Sequence, residues 1–317
     1  MRHWNWVRII LHQRVLIVLV GVVLLGAFIS PEFMTASNFQ NVQIQLATDG
    51  IIAVGMTFVI ISGGFDLSVG SVLALAGLTA VGLQSSLGTP AGLVLALLMG
   101  VVVGLVNGFL VTKIGINPFI ATLGTMTLVR GLALGVTDTK PISGVDENFA
   151  TLATLPVLGI PLAGLIFLAV LVIGFHVLTS TVIGRHIYAV GGNLEASWLS
   201  GIKIDAYRVG TYVLTSFLAA LSGVLLASRI NTGSPVVGRD TPLTVISAVL
   251  LGGTNMVGGS GSLIGTLEGV LVLGVLNNEM DLMGVADYYQ TIIRGALLVL
   301  VVLFDRFYIV RLARRAA

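Results

Sequence analysis

The sequence contains no cysteine, which excludes disulfides, thiolate nucleophiles, cysteine-ligated zinc and iron–sulfur clusters. Charged residues are also scarce, because they make up 9% of the 317 residues, whereas soluble domains carry about 25%. Hydrophobic residues reach 56% and the mean hydropathy is +1.04, so the chain needs lipid as its solvent. No polar stretch is long enough to form a soluble domain. We therefore predict a single transmembrane domain that covers residues 1–317.

Signatures of catalysis and of nucleotide or nucleic-acid binding are lacking as well. A phosphate-binding loop of the Walker type needs Gly-Lys followed by Ser or Thr, but Lys113, Lys140 and Lys203 follow Thr, Thr and Ile. Neither a His-Glu-x-x-His nor a Gly-x-Ser-x-Gly pattern is present. No basic face exists outside the loops predicted beside the membrane, which argues against nucleic acid as a partner. We expect no catalytic residues, no metal and no cofactor, and a membrane-embedded enzyme is the least favoured class.

Long apolar segments are what the sequence has in abundance. A helix needs about 20 apolar residues to cross about 30 Å of hydrocarbon, and about ten segments approach this length. They lie near residues 15–30, 44–62, 67–84, 91–112, 118–136, 161–180, 208–228, 242–257, 263–280 and 288–306. The segment 242–257 is the weakest and is either a full span or a re-entrant helix. The predicted fold class is an all-α integral membrane protein with about ten transmembrane helices.

The basic residues predict the orientation, since Lys and Arg collect in cytoplasmic loops. With the N-terminus inside, most of the 16 basic residues fall on the cytoplasmic side. They are Arg2, Arg8, Arg14, Lys113, Arg185, Lys203, Arg208, Arg306, Arg311, Arg314 and Arg315. Acidic residues lean to the other side, where the extracytoplasmic loop covers about 137–160. Both termini are therefore predicted to be cytoplasmic; the N-terminus also resembles a signal peptide, but no small-residue cleavage site follows it.

The stretch 62–71 reads Ser-Gly-Gly-Phe-Asp-Leu-Ser-Val-Gly-Ser and places Asp66 between two apolar segments. An ionisable group at the middle of the bilayer costs about 3 kcal/mol or more. Asp66 must therefore lie at an interface, face a wet cavity or accept hydrogen bonds, and the glycines allow the chain to break there. Three roles remain open: fixing this break, lining a translocation path or its gate, and coupling protons. The candidates for the path or its gate are Asp66, Ser68, Asn117, Thr125, Asn255 and Glu268.

Glycines recur at every fourth residue in two of the predicted spans. One set is Gly100, Gly104 and Gly108, and the other is Gly261, Gly265 and Gly269. Small residues at this spacing let helix backbones approach closely in lipid, so they either pack helices within one subunit or form a dimer seam. Glu268 lies on the second of these helices and faces either the pore or an arginine. The arginines within spans are Arg130 and Arg294, and their possible partners are Asp49, Glu268 and the carboxylates of the outer loops.

The cytoplasmic loop at about 184–205 joins the sixth and seventh predicted spans and contains a short helix. Asn193 is a good N-cap, Gly201 suits the C-terminal end, and Glu195 in the first turn complements the helix dipole. One side of this helix carries the apolar residues Leu194, Trp198 and Leu199. The helix therefore either lies on the lipid surface or docks into a groove on a cytoplasmic partner.

Four stretches give the chain a specific resemblance: Ile51–Ser71, Asn117–Gly124, Gly184–Ile202 and Val249–Tyr289. On these stretches it resembles the permease subunit of ribose-type monosaccharide ABC importers. The resemblance implies that two copies form the pathway as a homodimer, that a separate ABC ATPase subunit binds the cytoplasmic loop, and that an extracytoplasmic sugar-binding protein delivers the solute. It also implies that the short helix is a coupling helix. The expected ATPase-coupling residues are Gly191, Gly192, Asn193, Glu195, Ala196, Ser200 and Gly201.

The predicted function is that of a multi-pass inner-membrane permease subunit of an ATP-driven importer, surrounded by membrane lipid, for a ribose-like pentose or related monosaccharide. The stretch Gly238–Thr244 departs from the acidic run that many sugar permeases of this group carry, so the sugar stays open. The aromatic content of 7% argues against a tight sugar site in the membrane. The alternative is an ion-coupled secondary transporter of a small polar solute, with Asp66 or Glu268 as the coupling carboxylate.

Overall fold

The computed structural model describes residues 14–316, which form helices joined by short connections. The helices are α1 (Arg14–Ile29), α2 (Ala36–Ile61), α3 (Val69–Gly82), α4 (Gln84–Leu87), α5 (Thr89–Thr112), α6 (Pro118–Thr137), α7 (Glu147–Leu152), α8 (Leu162–Ser180), α9 (Val182–Gly192), α10 (Leu194–Leu199), α11 (Ile204–Ile230), α12 (Thr241–Leu251), α13 (Leu263–Leu282) and α14 (Asp287–Ala316). Four short strands are β1 (Ile142–Ser143), β2 (Pro156–Val157), β3 (Ile160–Pro161) and β4 (Thr232–Gly233). Arg2 and Arg8, which the predicted orientation uses, lie outside the described residues.

Each predicted apolar segment coincides with a helix, which confirms the all-α membrane class. Among the described residues, 6 helices are long and apolar enough to cross a bilayer, namely α2, α5, α6, α8, α11 and α13. The helices α1, α3 and α12 are apolar but shorter, and α14 covers the last predicted segment. The predicted count of about ten spans is therefore not confirmed.

The segment predicted at 242–257 is only partly helical. α12 has 11 residues and so rises about 16 Å, roughly half the thickness of the hydrocarbon. It ends at Leu251 because the chain turns through Gly252 and Gly253, and Gly253 has a φ of +85°, a conformation that favours glycine. A full span at this position is therefore wrong, and a helix that enters only part of the membrane fits the structure.

α11 lies at the centre of the bundle, where it packs against α2, α3 and α5. Glycines make the closest of these contacts, because a Cβ added at Gly104 of α5 would lie 2.6 Å from the Cα of Val213. In the second glycine stripe, Gly265 of α13 lies directly against the backbone carbonyl of Gly252. Both stripes therefore pack helices within one subunit, as the simpler of the two interpretations predicted.

Three of the four short strands lie in or at the end of the predicted loop at 137–160, and β4 lies after α11. β1 pairs with β4, and β2 and β3 form a hairpin that precedes α8. The hairpin turns at Leu158 and Gly159, whose φ angles are +53° and +81°. Leu158 is 96% exposed, so the tip of the hairpin projects from the protein surface.

Candidate functional site

Asp66 lies in the break between α2 and α3 and is completely buried. Its Oδ1 atom accepts hydrogen bonds from the Ser68 amide at 2.9 Å, the Ser68 hydroxyl at 2.6 Å and the Asn107 side-chain amide at 3.3 Å. Its Oδ2 atom accepts a hydrogen bond from the Ser216 hydroxyl at 3.2 Å. The carboxylate is therefore satisfied by donors from its own turn, from α5 and from α11.

Asn107 extends this arrangement into a network across four parts of the fold. Its side-chain amide also donates to the Ser68 hydroxyl at 2.9 Å, and its Oδ1 atom accepts from the Thr125 hydroxyl of α6 at 2.7 Å. All members are buried, so the network is closed to water. Of the predicted roles for Asp66, this geometry favours fixing the chain break, because both carboxylate oxygens accept hydrogen bonds and the side chain is inaccessible to a solute. Asn107 and Ser216 are members that the sequence did not reveal.

The other pathway candidates are not brought together with this network. Asn117 is exposed and caps α6, where its side chain accepts from the Phe119 amide at 3.0 Å. Asn255 shapes the loop between α12 and α13 by accepting from the Val257 amide at 2.9 Å. Glu268 is partly exposed on α13 and forms no ion pair within the described chain.

The two arginines within the predicted spans differ in their partners. Arg130 donates from Nη1 to the backbone carbonyls of Pro235 at 2.6 Å and Val237 at 2.8 Å, and from Nη2 to the carbonyl of Gly70 at 3.1 Å. Three backbone carbonyls thus bind Arg130 in place of an acidic side chain. Arg294 lies 3.7 Å from Asp240, a carboxylate of the loops that were predicted to be outside, which is one of the expected kinds of partner. Glu268 pairs with neither arginine among the described residues, so of its two alternatives the one that faces an arginine finds no support.

The short helix predicted in the cytoplasmic loop is present as α10. Asn193 caps it by accepting from the Ala196 amide at 2.9 Å. At its other end Gly201 has a φ of +76° and donates to the Trp198 carbonyl, while the Ile202 amide donates to the Ser197 carbonyl at 3.1 Å. These two hydrogen bonds form a Schellman motif, which requires a residue such as glycine at positive φ. The boundaries of α10 therefore follow from the local sequence.

The apolar residues of α10 are not covered by the rest of the described chain. Leu194, Trp198 and Leu199 are 48%, 69% and 71% exposed, and Glu195 beside them is exposed as well. Ser197, in contrast, is buried and donates to the Asn193 carbonyl at 2.8 Å. The helix thus holds an apolar patch outward on a rigid, well-capped support.

A contact made only of backbone seats α9, and with it α10, on the rest of the fold. Gly191 at the end of α9 lies directly against the carbonyl of Ile61, the last residue of α2. The Gly259 amide donates to that same carbonyl at 2.9 Å, and Gly258 packs against both Gly63 and Gly191. We call this contact of residues 61–63, 191–192 and 258–259 the glycine seat.

The glycine seat joins α9 to two chain breaks at once. One is the break at residues 62–68, which holds Asp66, and the other is the loop between α12 and α13. The Tyr188 hydroxyl strengthens the second connection by donating to the Gly261 carbonyl at 2.8 Å. Gly191 and Gly192 were predicted site residues, whereas Gly258 and Gly259 were missed. Glycine pairs occur at 191–192 and 258–259, but the sequence carries no signal that brings them together with Ile61.

Broken helices within an apolar helical bundle are typical of membrane transport proteins, which is the class that this fold indicates. The chain matches the family described as "Branched-chain amino acid transport system / permease component" over residues 38–302. That match covers most of the chain, which therefore belongs to this family of permease components. No solved structure matches the chain.

Curated relatives give a more specific similarity. The chain is 41% identical to the ribose import permease protein RbsC of Haemophilus influenzae over 306 residues, which cover 95% of this chain and 94% of the relative. It is 42% identical to the protein of the same name from Bacillus subtilis over 290 residues, covering 90% and 89%. It is 37% identical to the L-arabinose transport system permease protein AraH of Escherichia coli over 289 residues, covering 89% and 86%.

These matches confirm the predicted resemblance to ribose-type sugar permeases of ABC importers. Together with the apolar helices, they identify the chain as a multi-pass protein of the bacterial inner membrane. By family, such a permease component is the non-catalytic membrane subunit of its transporter.

Proposed function

We propose that the chain forms the solute passage of an ATP-driven importer for a ribose-like pentose or a related monosaccharide, and that α10 couples it to a separate ATPase. The single observation that carries the coupling role is the geometry of α10, a capped helix that exposes three apolar residues beside the glycine seat. The names of the relatives, which include ribose and L-arabinose permeases, support the class of solute.

The glycine seat suggests how a movement of α9 and α10 is transmitted to the solute passage. An ATPase that binds α10 would move α9 and α10 together, because α10 follows the end of α9 directly. Since Gly191 touches the end of α2 without an intervening side chain, a shift of α9 displaces the break that contains Asp66 and the loop before α13. ATP binding changes the passage only if each nucleotide state favours one of these arrangements.

In this proposal the remaining coupling candidates belong to α10 and its ends. Asn193 and Gly201 define the two ends of α10, and Ser200 donates to the Ala196 carbonyl at 2.8 Å. Glu195 is exposed in the first turn and is available to a basic group of the ATPase. Two copies of the chain and an extracytoplasmic binding protein complete the proposed importer.

Reconstitution tests this function. The purified permease is placed in liposomes with an ABC ATPase subunit and a sugar-binding protein from the same organism, and uptake of radiolabelled D-ribose and L-arabinose is measured. We expect uptake that requires ATP, the ATPase and the binding protein. Uptake by the permease alone, driven by an ion gradient, would contradict the proposal and favour the secondary-transporter alternative.

A further inference from the structure

The tip of the β2–β3 hairpin combines an unfavourable backbone conformation with an exposed apolar side chain. Val157 pairs with Ile160, so the hairpin turns through only two residues, Leu158 and Gly159. Their φ angles of +53° and +81° are those of a type I′ turn, in which asparagine or aspartate is the usual residue before the glycine. Leucine is disfavoured at positive φ, and Leu158 is 96% exposed, so it gains almost nothing from burial. The folded chain by itself therefore gives no reason for a leucine at this position.

The hairpin stands on a loop that hydrogen bonds fix to the helices. The Ser228 hydroxyl of α11 donates to the Phe149 carbonyl of α7 at 2.6 Å and accepts from the Ala153 amide, just after α7, at 2.9 Å. The Leu162 amide donates to the Leu155 carbonyl at 2.9 Å, which closes the hairpin onto the start of α8. The exposed tip is therefore carried by a support that is bonded to two long helices.

The hairpin lies at the end of the bundle opposite α10. α8 begins directly after β3 and leads to α9 and α10. The 19 residues of α8 rise about 28 Å, close to the thickness of the hydrocarbon core, so α8 crosses it without help from the hairpin. The hairpin therefore lies outside the hydrocarbon, on the side predicted to be extracytoplasmic.

The residues around the hairpin favour a protein rather than lipid as the partner of the tip. Segments that lie at a membrane surface typically carry Lys, Arg, Trp or Tyr. Residues 141–161 contain none of these, and their only charged side chains are those of Asp146 and Glu147. An apolar tip beside acidic side chains suits a protein surface with an apolar pocket and basic residues around it.

We propose that the β2–β3 hairpin docks the extracytoplasmic sugar-binding protein, and that Leu158 enters an apolar pocket on a basic surface of that protein. This inference rests on the proposed function, which supplies the partner, and it adds the surface that the partner recognises. One apolar anchor in a pocket can dominate the binding energy of an interface. Because the turn and its support hold Leu158 in place before binding, little conformational entropy is lost when the anchor docks.

The first test separates docking from folding through the substitution L158N. Asparagine suits the turn better than leucine, so L158N should unfold at the same temperature as the wild type or higher. Its affinity for the sugar-binding protein that supports uptake in liposomes should fall at least about tenfold. Affinity is measured on immobilised nanodiscs of the permease with its ATPase. The matched control is L87N, because Leu87 is 58% exposed on α4 at the same end of the bundle, and it should bind normally.

Three outcomes of this test would overturn the docking role of Leu158. They are normal affinity in L158N, an affinity loss that comes with a lower unfolding temperature, and an equal affinity loss in L87N. The test also distinguishes this inference from the function on which it rests. A wild-type permease that does not bind the sugar-binding protein contradicts the proposed function as well, whereas normal binding by L158N contradicts the docking role alone.

The second test distinguishes a protein partner from lipid. Because the chain has no cysteine, V157C places a single thiol beside the tip and leaves Leu158 intact. In nanodiscs, a membrane-impermeant methanethiosulfonate reagent should modify this thiol, and the sugar-binding protein should slow the reaction at least about threefold. L87C is the control, and its reaction should not change when the sugar-binding protein is added.

Two results of this labelling would contradict the proposal. A thiol in V157C that does not react in nanodiscs alone would mean that lipid covers the hairpin. A reaction that the sugar-binding protein leaves unchanged, although that protein binds the nanodiscs, would mean that it docks elsewhere.

Discussion

Two aspartates of this chain, Asp49 within α2 and Asp66 just after it, show opposite solutions to the same physical problem. Asp66 is inaccessible and accepts four hydrogen bonds from three parts of the fold. Asp49 remains partly exposed and accepts none among the described residues. The comparison teaches that a carboxylate in a membrane domain is not functional merely by its position. Its hydrogen-bond donors decide whether it holds the fold together or stays available for a ligand.

The largest expected effect comes from removing the bonded carboxylate. Asp66→Ala leaves the Ser68 and Ser216 hydroxyls and the Ser68 amide without their acceptor in a buried site. Each unsatisfied donor costs about 1–3 kcal/mol, so we expect a loss of at least about 3 kcal/mol of stability. The measurement is the thermal unfolding of the purified protein in detergent, followed by intrinsic fluorescence.

Asp49→Ala is the control for this prediction. Because Asp49 has no bonded donor to lose, its replacement should change stability by less than about 1 kcal/mol. Equal destabilisation by both alanine variants would show that the hydrogen bonds of Asp66 do not account for the difference between the two aspartates.

A smaller effect is expected from a substitution in the glycine seat, which touches the chain break that holds Asp66. A Cβ at Gly191 would collide with the Ile61 carbonyl, so Gly191→Ala must push α9 away from the break that holds Asp66. We expect at least about a tenfold loss of ATP-dependent uptake with the ATPase still bound.

Gly210→Ala is the matched control, because a Cβ at Gly210 of α11 meets nothing within 4 Å. This variant should take up sugar as the wild type does. Normal uptake by Gly191→Ala would show that α9 is not seated tightly enough to transmit motion to the breaks.

The apolar patch on α10 should contribute less, and to binding rather than to transmission. Trp198→Ala removes a large exposed side chain from the proposed interface, and we expect about a tenfold weaker affinity of the ATPase. Binding of the ATPase to immobilised permease nanodiscs measures it. Leu158→Ala removes an apolar side chain that is 96% exposed on the β2–β3 hairpin and should leave the affinity unchanged. An unaltered affinity in the Trp198 variant would favour the lipid-surface interpretation of α10.

The smallest effect concerns a third carboxylate, which lies on the surface. The Thr89 hydroxyl donates to Asp146, and with the amides of Phe149 and Asn148 it holds the pKa of this carboxyl below its usual range. A lowered pKa stabilises the folded state above the usual pKa of Asp, and this contribution disappears as the pH falls through the folded-state pKa. Thr89→Ala should therefore melt slightly earlier than the wild type at neutral pH, with the difference vanishing in acid. A difference that is the same at both pH values would contradict this.

The membrane class, the approximate positions of most helices and the ends of α10 can be predicted from the amino-acid sequence alone. These properties depend on local composition, because hydrophobic runs choose lipid and because Asn193 and Gly201 act on neighbouring backbone groups. The glycine stripes could also be recognised in the sequence as helix-packing faces, since spacing along one helix defines a face. Whether they pack within one subunit or between two was left open.

The pairing of each polar group with its partner, in contrast, depends on the tertiary structure. Asp66 and Ser216 are far apart in sequence, as are Gly191 and Ile61, and no local pattern encodes such contacts. The same holds for Arg130, which binds carbonyls rather than the expected carboxylates, and for the end of α12 at Leu251, where the turn packs against α13. Hydrophobicity is a property of each residue and is visible in the sequence, whereas hydrogen-bond satisfaction in a membrane belongs to pairs of residues that folding brings together.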